Sequence, residues 1–221
     1  MKQLHVSYIS LMTMEEVSEI ITAVERHSLE HVLWNKPAQI PLVSFSILHN
    51  EHYIFLRFFV NEFERRATVQ KTNGAVWEDS CVEFFLSFDK GESYFNFEFN
   101  PLGTKLGAFG TSKTKRKQLP VMVVDTITTN AEVINMGSGI FNWNLFVAIP
   151  LTVFQQPAGF SLLGKTCTGN VYKCGDGLQD PHFLSWSNID TDEANFHLPE
   201  FFGEMVFSSL PDANFRALKG S

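Results

Sequence analysis

From Tyr94 to Asn100 the chain alternates without a break: Phe95, Phe97 and Phe99 fall on one side, Asn96, Glu98 and Asn100 on the other. A period of two belongs to a β-strand with one apolar and one polar face. The preceding segment, from Cys81 to Phe88, has the same period, with Val82, Phe84, Leu86 and Phe88 sharing a face. The four residues Asp89 to Glu92 between them are a common hairpin length. If both apolar faces meet one core, partner numbers must sum to an odd value, which sets Glu83 opposite Glu98 or Asn100. Slipping by one residue would bury Glu98 and Asn100 and expose three Phe, at roughly 1.5–3 kcal/mol per Phe. Glu83, Glu98 and Asn100 are therefore expected to cluster on the outer face.

The rest of the chain carries the same signal more weakly. Strand patterns run from Leu42 to Leu48, Tyr53 to Val60, Val121 to Ile127, Ala131 to Asn135, Asn142 to Ile149, Ser161 to Lys165, Asn170 to Cys174 and Glu204 to Phe207. Turn residues separate several of them, as at His49-Asn50-Glu51, Gly137-Ser138-Gly139 and Gly175-Asp176-Gly177. One helix is expected, over 14–27: Thr13-Met14-Glu15-Glu16 fits a capping box, and Val17, Ile20, Ile21 and Val24 follow at helical spacing. Many short strands with 22 Phe among 221 residues argue for an all-β fold, an immunoglobulin- or jelly-roll-like β-sandwich with a short N-terminal helix. With neither a linker nor an internal repeat, residues 1–221 read as one domain.

Charge and motifs exclude several functions. A formal net charge of -7 argues against nonspecific nucleic-acid binding, and the one basic run, Lys113 to Lys117, reads as a solvated loop. Gly103, Gly107 and Gly110 do not open a helix and are no nucleotide signature. No apolar stretch approaches the ~20 residues of a spanning helix, and no signal core follows Met1, so a cytoplasmic location is the default expectation. Cys81, Cys167 and Cys174 are expected to be reduced thiols, although Cys167 and Cys174 could face each other across a hairpin. Without C-x-x-C spacing among the cysteines, no metal site is assigned.

The candidate chemistry lies in carboxylates and aromatic rings. Glu83 and Glu98, with Asp79, could serve as the acid pair of a glycosidase; the plainer reading is a polar sheet face. Trp77 follows the turn Thr72-Asn73-Gly74 and stands where loop becomes strand, a good position for a stacking platform. Trp143 alternates with a strand and reads as core; Trp186 reads as structural or ligand-facing; Trp34, before Pro37, reads as packing under the N-terminal segment. Tyr172, Lys173 and His182 could lie beside the Trp77 rim, and His197 beside Phe196. A haem-binding sandwich would need axial ligands, for which Met122, Met136, Lys173 and His182 are loose candidates.

The run Trp77-Glu78-Asp79-Ser80-Cys81-Val82-Glu83, the strand ending Phe97-Glu98-Phe99-Asn100, and the later Pro181-His182-Phe183-Leu184-Ser185-Trp186-Ser187 and Pro199-Glu200-Phe201-Phe202-Gly203 together resemble the family 9 carbohydrate-binding modules, over residues 40–208. The resemblance implies a β-sandwich that holds a terminal sugar of a mono- or oligosaccharide between two Trp rings, without catalysis, beside enzymes of polysaccharide breakdown. Carried across, Trp77 is the first clamp ring, Glu83 the sugar-binding Glu and Asn100 the sugar-binding Asn. Three departures follow: Glu98 stands where the family has Arg, Phe196 where it has the second Trp, and Leu163 near its Gln. Replacing Arg by Glu exchanges five donors for acceptors. Calcium is possible on the same resemblance; no other cofactor is implied.

Overall fold

A computed structural model describes residues 2–10, 12–135 and 139–211, apart from the side chains of 134, 135 and 211. Its strands are β1 (Gln3–Tyr8), β2 (His27–Ser28), β3 (His31–Val32), β4 (Leu42–His49), β5 (Tyr53–Glu62), β6 (Cys81–Ser87), β7 (Tyr94–Phe99), β8 (Lys105–Gly110), β9 (Arg116–Gln118), β10 (Thr128–Asn135), β11 (Phe141–Pro150), β12 (Thr166–Cys174), β13 (Leu184–Ser185) and β14 (Gly203–Pro211). Two short helices accompany them, α1 (Met14–Ile20) and α2 (Val121–Val124).

The strands form two faces of a β-sandwich. One runs β10-β11-β5-β4 and the other β14-β12-β6-β7-β8-β9. Strand β1 joins them, pairing in parallel with β14 along Gln3 to Val6 and with β4 at Ser7 and Tyr8. Between the sheets lies the main core, where Phe45, Phe58 and Trp143 from one side meet Phe84, Phe97 and Phe99 from the other. The register expected for the β6–β7 hairpin is found: Glu83 stands opposite Glu98, Val82 opposite Phe99 and Leu86 opposite Phe95.

Three local expectations are corrected. Val121 to Ile127 does not form a strand: Pro120 begins a one-turn helix whose Val124 is buried while Met122 is 78% exposed. Ser161 to Lys165 is a turn, and the strand begins one residue later at Thr166, after Gly164 at φ 69°. The helix ends at Ile20 and tightens into a 3-10 turn over Ile21–Ala23, although its capping box forms as read, with Thr13 N–H donating to Glu16 at 2.8 Å and Glu16 N–H to Thr13 Oγ1 at 3.2 Å.

The outer face of the β6–β7 sheet is not solvated. The 3-10 turn at Val76–Glu78 and the loop from Asn188 to Phe202 lie over it, and Leu33, Val76, Ile189, Phe196 and Phe202 form a second apolar cluster with Phe85, Tyr94 and Tyr172. Glu83, Glu98 and Asn100 therefore share an outer face, as the alternation required, but they are 3%, 2% and 0% exposed. Alternation fixes which side of a sheet a residue takes; whether loops then cover that side is a long-range outcome.

Candidate functional site

The covering layer is incomplete above Glu83 and Glu98. A cavity of about 260 Å³ opens there, walled by Trp34, Trp77, Phe183 and Phe196 and floored by the two carboxylates. Cys174, Asp176, Lys113, Arg116, Asn195 and His197 also line it.

Each wall is held by backbone. Trp77 is fixed by the turn after β12: its carbonyl accepts from Asp176 N–H at 3.1 Å, and Glu78 O accepts from Gly177 N–H at 3.0 Å. Gly177 is needed for that approach, because a Cβ would come within 1.8 Å of the Arg66 guanidinium and 2.6 Å of Glu78 O. Trp34 sits at φ 55°, the left-handed region that a bulky residue rarely takes. Its indole N–H donates to Thr191 O at 3.0 Å, and its ring meets Phe183 edge-on at 5.5 Å. Phe196 stacks on Tyr172 at 4.2 Å, and the Tyr172 hydroxyl donates to the Phe196 carbonyl at 3.1 Å.

The floor is electrostatically strained. Glu83 and Glu98 face each other across the ladder, so two acids share one small buried space. Burial, and then the neighbouring Glu98, hold the Glu83 carboxyl well above the ordinary range. Burial lifts Glu98 to about 7 against the pull of Arg116, whose Nη1 lies 3.4 Å from Glu98 Oε1. Asn96 donates to the same oxygen at 3.0 Å, and Glu98 Oε2 has no hydrogen-bond partner among the described residues. The Cys174 thiol donates to Glu83 Oε1 at 3.0 Å. Burial, then Arg116 and Lys113, push His197 down to about 3, so its ring is neutral at physiological pH.

Trp77, Glu83, Glu98 and Phe196 are thus brought together as the sequence reading placed them. Five other candidates lie elsewhere. Asn100 is fully occupied beneath the layer: its amide donates to Val69 O at 2.8 Å and Asp79 at 2.9 Å, and its carbonyl accepts from Leu102 and Thr104 N–H, both at 3.0 Å. Asp79, 0% exposed, also accepts from Thr68 and Val69 N–H, so it is a loop anchor removed from the carboxylate pair. Trp186 is in the inter-sheet core, edge-on to Phe45 at 6.4 Å. Lys173 and His182 point inward: Lys173 Nζ lies 3.0 Å from Glu62 and 2.8 Å from His182 Nε2. They are buried together, whereas Met122 is exposed, so these haem-ligand candidates do not converge; Met136 lies outside the described residues.

The sequence reading missed Arg116, Lys113 and Trp34. Strand β9 returns the basic run along β8, with Arg116 opposite Gly110, and carries the guanidinium to Glu98. The contact lies across two ladders and leaves no spacing signature. Gly110 makes the pairing possible, since a Cβ would approach Lys115 O to 2.3 Å.

Cys81 and Cys174 are cross-strand partners at the end of the β6–β12 ladder, and Cys167 lies earlier on β12, so no Cys167–Cys174 hairpin exists. All three are free thiols. The Cys81 and Cys174 sulfurs and a Glu83 oxygen lie within 4.8 Å of one another. Two sulfurs and one carboxylate do not suit calcium, which takes six to eight oxygen ligands.

A family model described as carbohydrate-binding family 9 matches residues 15–207. Among solved structures, a candidate carbohydrate-binding protein from Bacteroides uniformis ATCC 8492 is similar at 36% identity and a TM-score of 0.84, over 94% of this chain and 99% of that one. A family 9 carbohydrate-binding module from Caldicellulosiruptor kristjanssonii in complex with glucose superposes at a TM-score of 0.62 with 14% identity, over 96% and 98% of the two chains. The same kind of module with cellotriose superposes at 0.65, again with 14% identity, over 96% of each. No curated protein matches the chain in sequence.

Proposed function

The chain belongs to carbohydrate-binding family 9, and on that premise we propose that the cavity above Glu83 and Glu98 binds the end of a neutral saccharide without turning it over. The observation that carries this reading is the unpartnered Glu98 Oε2 on the floor of a cavity with aromatic walls. A buried carboxylate oxygen without a partner is costly, and a ligand hydroxyl would satisfy it. At about 260 Å³ the cavity has room for one or two sugar rings. Glucose and cellotriose, held by the Caldicellulosiruptor kristjanssonii module, set the class of ligand to try first.

The division of labour follows from the atoms. Trp77 offers the pyranose C–H groups a flat apolar partner, with Trp34 as the second large ring in place of the clamp Trp expected at position 196. A protonated Glu83 donates to a hydroxyl, Glu98 Oε2 accepts from one, and Arg116 supplies the donors that the sequence reading found missing at position 98. Catalysis by the pair would need one carboxylate ionised as base or nucleophile beside a protonated partner. Burial pushes both toward protonation, and the ionised fraction of Glu98 is already paired with the Arg116 guanidinium, which suits binding better than turnover.

Calorimetry with glucose, cellobiose and cellotriose tests the assignment, with Trp77→Ala as the control. Saturable binding in the micromolar to millimolar range, lost in Trp77→Ala, is expected. Equal heats from the two proteins would remove the cavity from consideration.

A further inference from the structure

A second concave surface lies on the opposite side of the molecule. The outer face of the β4–β5–β11 sheet is covered over one half by α1 and the 3-10 turn after it, where Val17 and Ile21 pack on Leu48, Phe55, Phe146 and Ala148. The other half is open and forms a cleft of about 940 Å³. Its floor is a grid set by the ladders. One row is Leu42, Asn61 and Asn142; the next is Ser44, Phe59 and Asn144. Thr22, Arg26 and Ser28 form one wall, and Ile40, Pro41 and Leu42 form the lip.

The chemistry of this floor is specific. Asn61, Asn142 and Asn144 are partly exposed, and their side-chain amides make no hydrogen bond among the described residues. Each presents two donors and an acceptor from a rigid strand. The charged groups of the lining are already engaged: Arg57 donates to Glu132 at 2.8 Å and to Ser18 at 3.2 Å, Glu30 pairs with Lys2, and the Arg26 guanidinium lies 3.7 Å from the centre of the Phe59 ring. Ile40 and Leu42, 50% and 72% exposed, give the lip an apolar edge. Free amides beside apolar carbon, with no unengaged charge on the floor, match a ligand that is uncharged, carries many hydroxyls and has apolar C–H faces.

We propose that this cleft is a second carbohydrate-binding site, taking an internal stretch of a neutral oligosaccharide several rings long. Its greater volume and open form suit a chain running through it, where the first cavity suits a chain end. The two sites face outward from opposite sheets, so one molecule can hold two glycan chains at once. A bivalent binder of that kind gains avidity on a polymer that neither site has for a short fragment.

The test is amide NMR of the isotope-labelled protein titrated with cellohexaose, xylohexaose and mannohexaose at millimolar concentration. At least one of the three is expected to shift resonances of 42–44, 59–61 and 142–144, and to do so equally in Trp77→Ala. The triple variant Asn61→Ala, Asn142→Ala, Asn144→Ala is expected to lose those shifts while keeping the shifts at 77, 174–176 and 195–197. Should the triple variant fold poorly, the single Asn142→Asp variant keeps the volume, removes the amide donors and is expected to weaken the cleft shifts at least threefold. Cleft resonances that stay still with all three hexaoses, or that move only when the Trp77 cavity is intact, would overturn the proposal. Failure at the Trp77 cavity would show separately in its own resonances.

Discussion

Two acidic sites of this protein are buried almost equally and are built in opposite ways. Glu62, 1% exposed, lies between the sheets with Lys173 at 3.0 Å and the Trp143 indole N–H donating to it at 2.7 Å. Glu83 and Glu98, on the outer face of the opposite sheet, have each other, with one guanidinium at 3.4 Å from Glu98. The first site compensates its charge and ties one sheet to the other. The second leaves charge uncompensated beside an open cavity. Buried charge paired with an opposite buried charge contributes to holding the fold, whereas buried carboxyls set against each other beside a cavity are available to a ligand.

The comparison is broken most directly at Lys173. Lys173→Met leaves Glu62 buried without its cation, and is expected to cost about 3–5 kcal/mol of stability in urea unfolding. Adding Glu62→Leu to that variant should restore most of the loss, because both charges are then gone. If Lys173→Met alone unfolds at the wild-type midpoint, the bridge does not compensate Glu62 as described.

The opposite signature is expected at the second site. Both folded-state carboxyls titrate above their unfolded values, so the native state holds protons that the unfolded chain has released. Stability from this pair is therefore fully present below about pH 4.5, and the Glu98 part of it is lost as pH rises through about 7. One such proton changes stability by at most about 1.4 kcal/mol per pH unit. His49, His182 and His197, pushed down to about 4, 3 and 3 by burial, act in the reverse sense, with stability falling as pH drops from 6.5. Comparison with Glu98→Gln isolates the carboxylate effect: between pH 4.5 and 7 the variant should gain stability relative to wild type. Parallel pH profiles for the two proteins would show that the pair is not strained.

Trp77→Ala should separate the two regions in another way. Removing a half-buried ring at the cavity wall is expected to weaken saccharide binding at least tenfold, about 1.4 kcal/mol. Its cost to stability should be smaller than that of a core Phe→Ala change, about 3–5 kcal/mol. Comparable losses of stability for Trp77→Ala and Phe97→Ala would make Trp77 a packing residue.

The sandwich was legible because alternation is a local property. Phe95, Phe97 and Phe99 dictate a face, a face dictates a register, and Glu83 meets Glu98 as that register demands. Half of the site was legible for the same reason, since Trp77 and Glu83 are six residues apart along one turn and strand. The other half was not. Arg116 reaches Glu98 across two ladders, and Trp34 joins the wall through a carbonyl at Thr191, 157 residues away. Asn100 was misplaced because a polar residue on the correct face can be consumed by the backbone turn after its own strand. Spacing in sequence reports face and strand; it does not report which polar groups the loops have already engaged.

Arg116 offers the finest test of the comparison, because it is the cation within ion-pair distance of the uncompensated pair. Arg116 is partly exposed, and its contact with Glu98 is long, so Arg116→Gln should cost less than about 1 kcal/mol of stability. Its effect should appear in titration and binding. Without the guanidinium, the Glu98 carboxyl should move still higher, as followed by isotope-edited carboxyl NMR. Saccharide affinity should fall by a few-fold as ligand donors are lost, and the fall should be much reduced in a Glu98→Gln background, where the two changes share a partner and cannot be additive. Additive losses in that double-mutant cycle would mean that Arg116 and Glu98 act on the ligand separately, and that the second acidic site is no more coupled than the first.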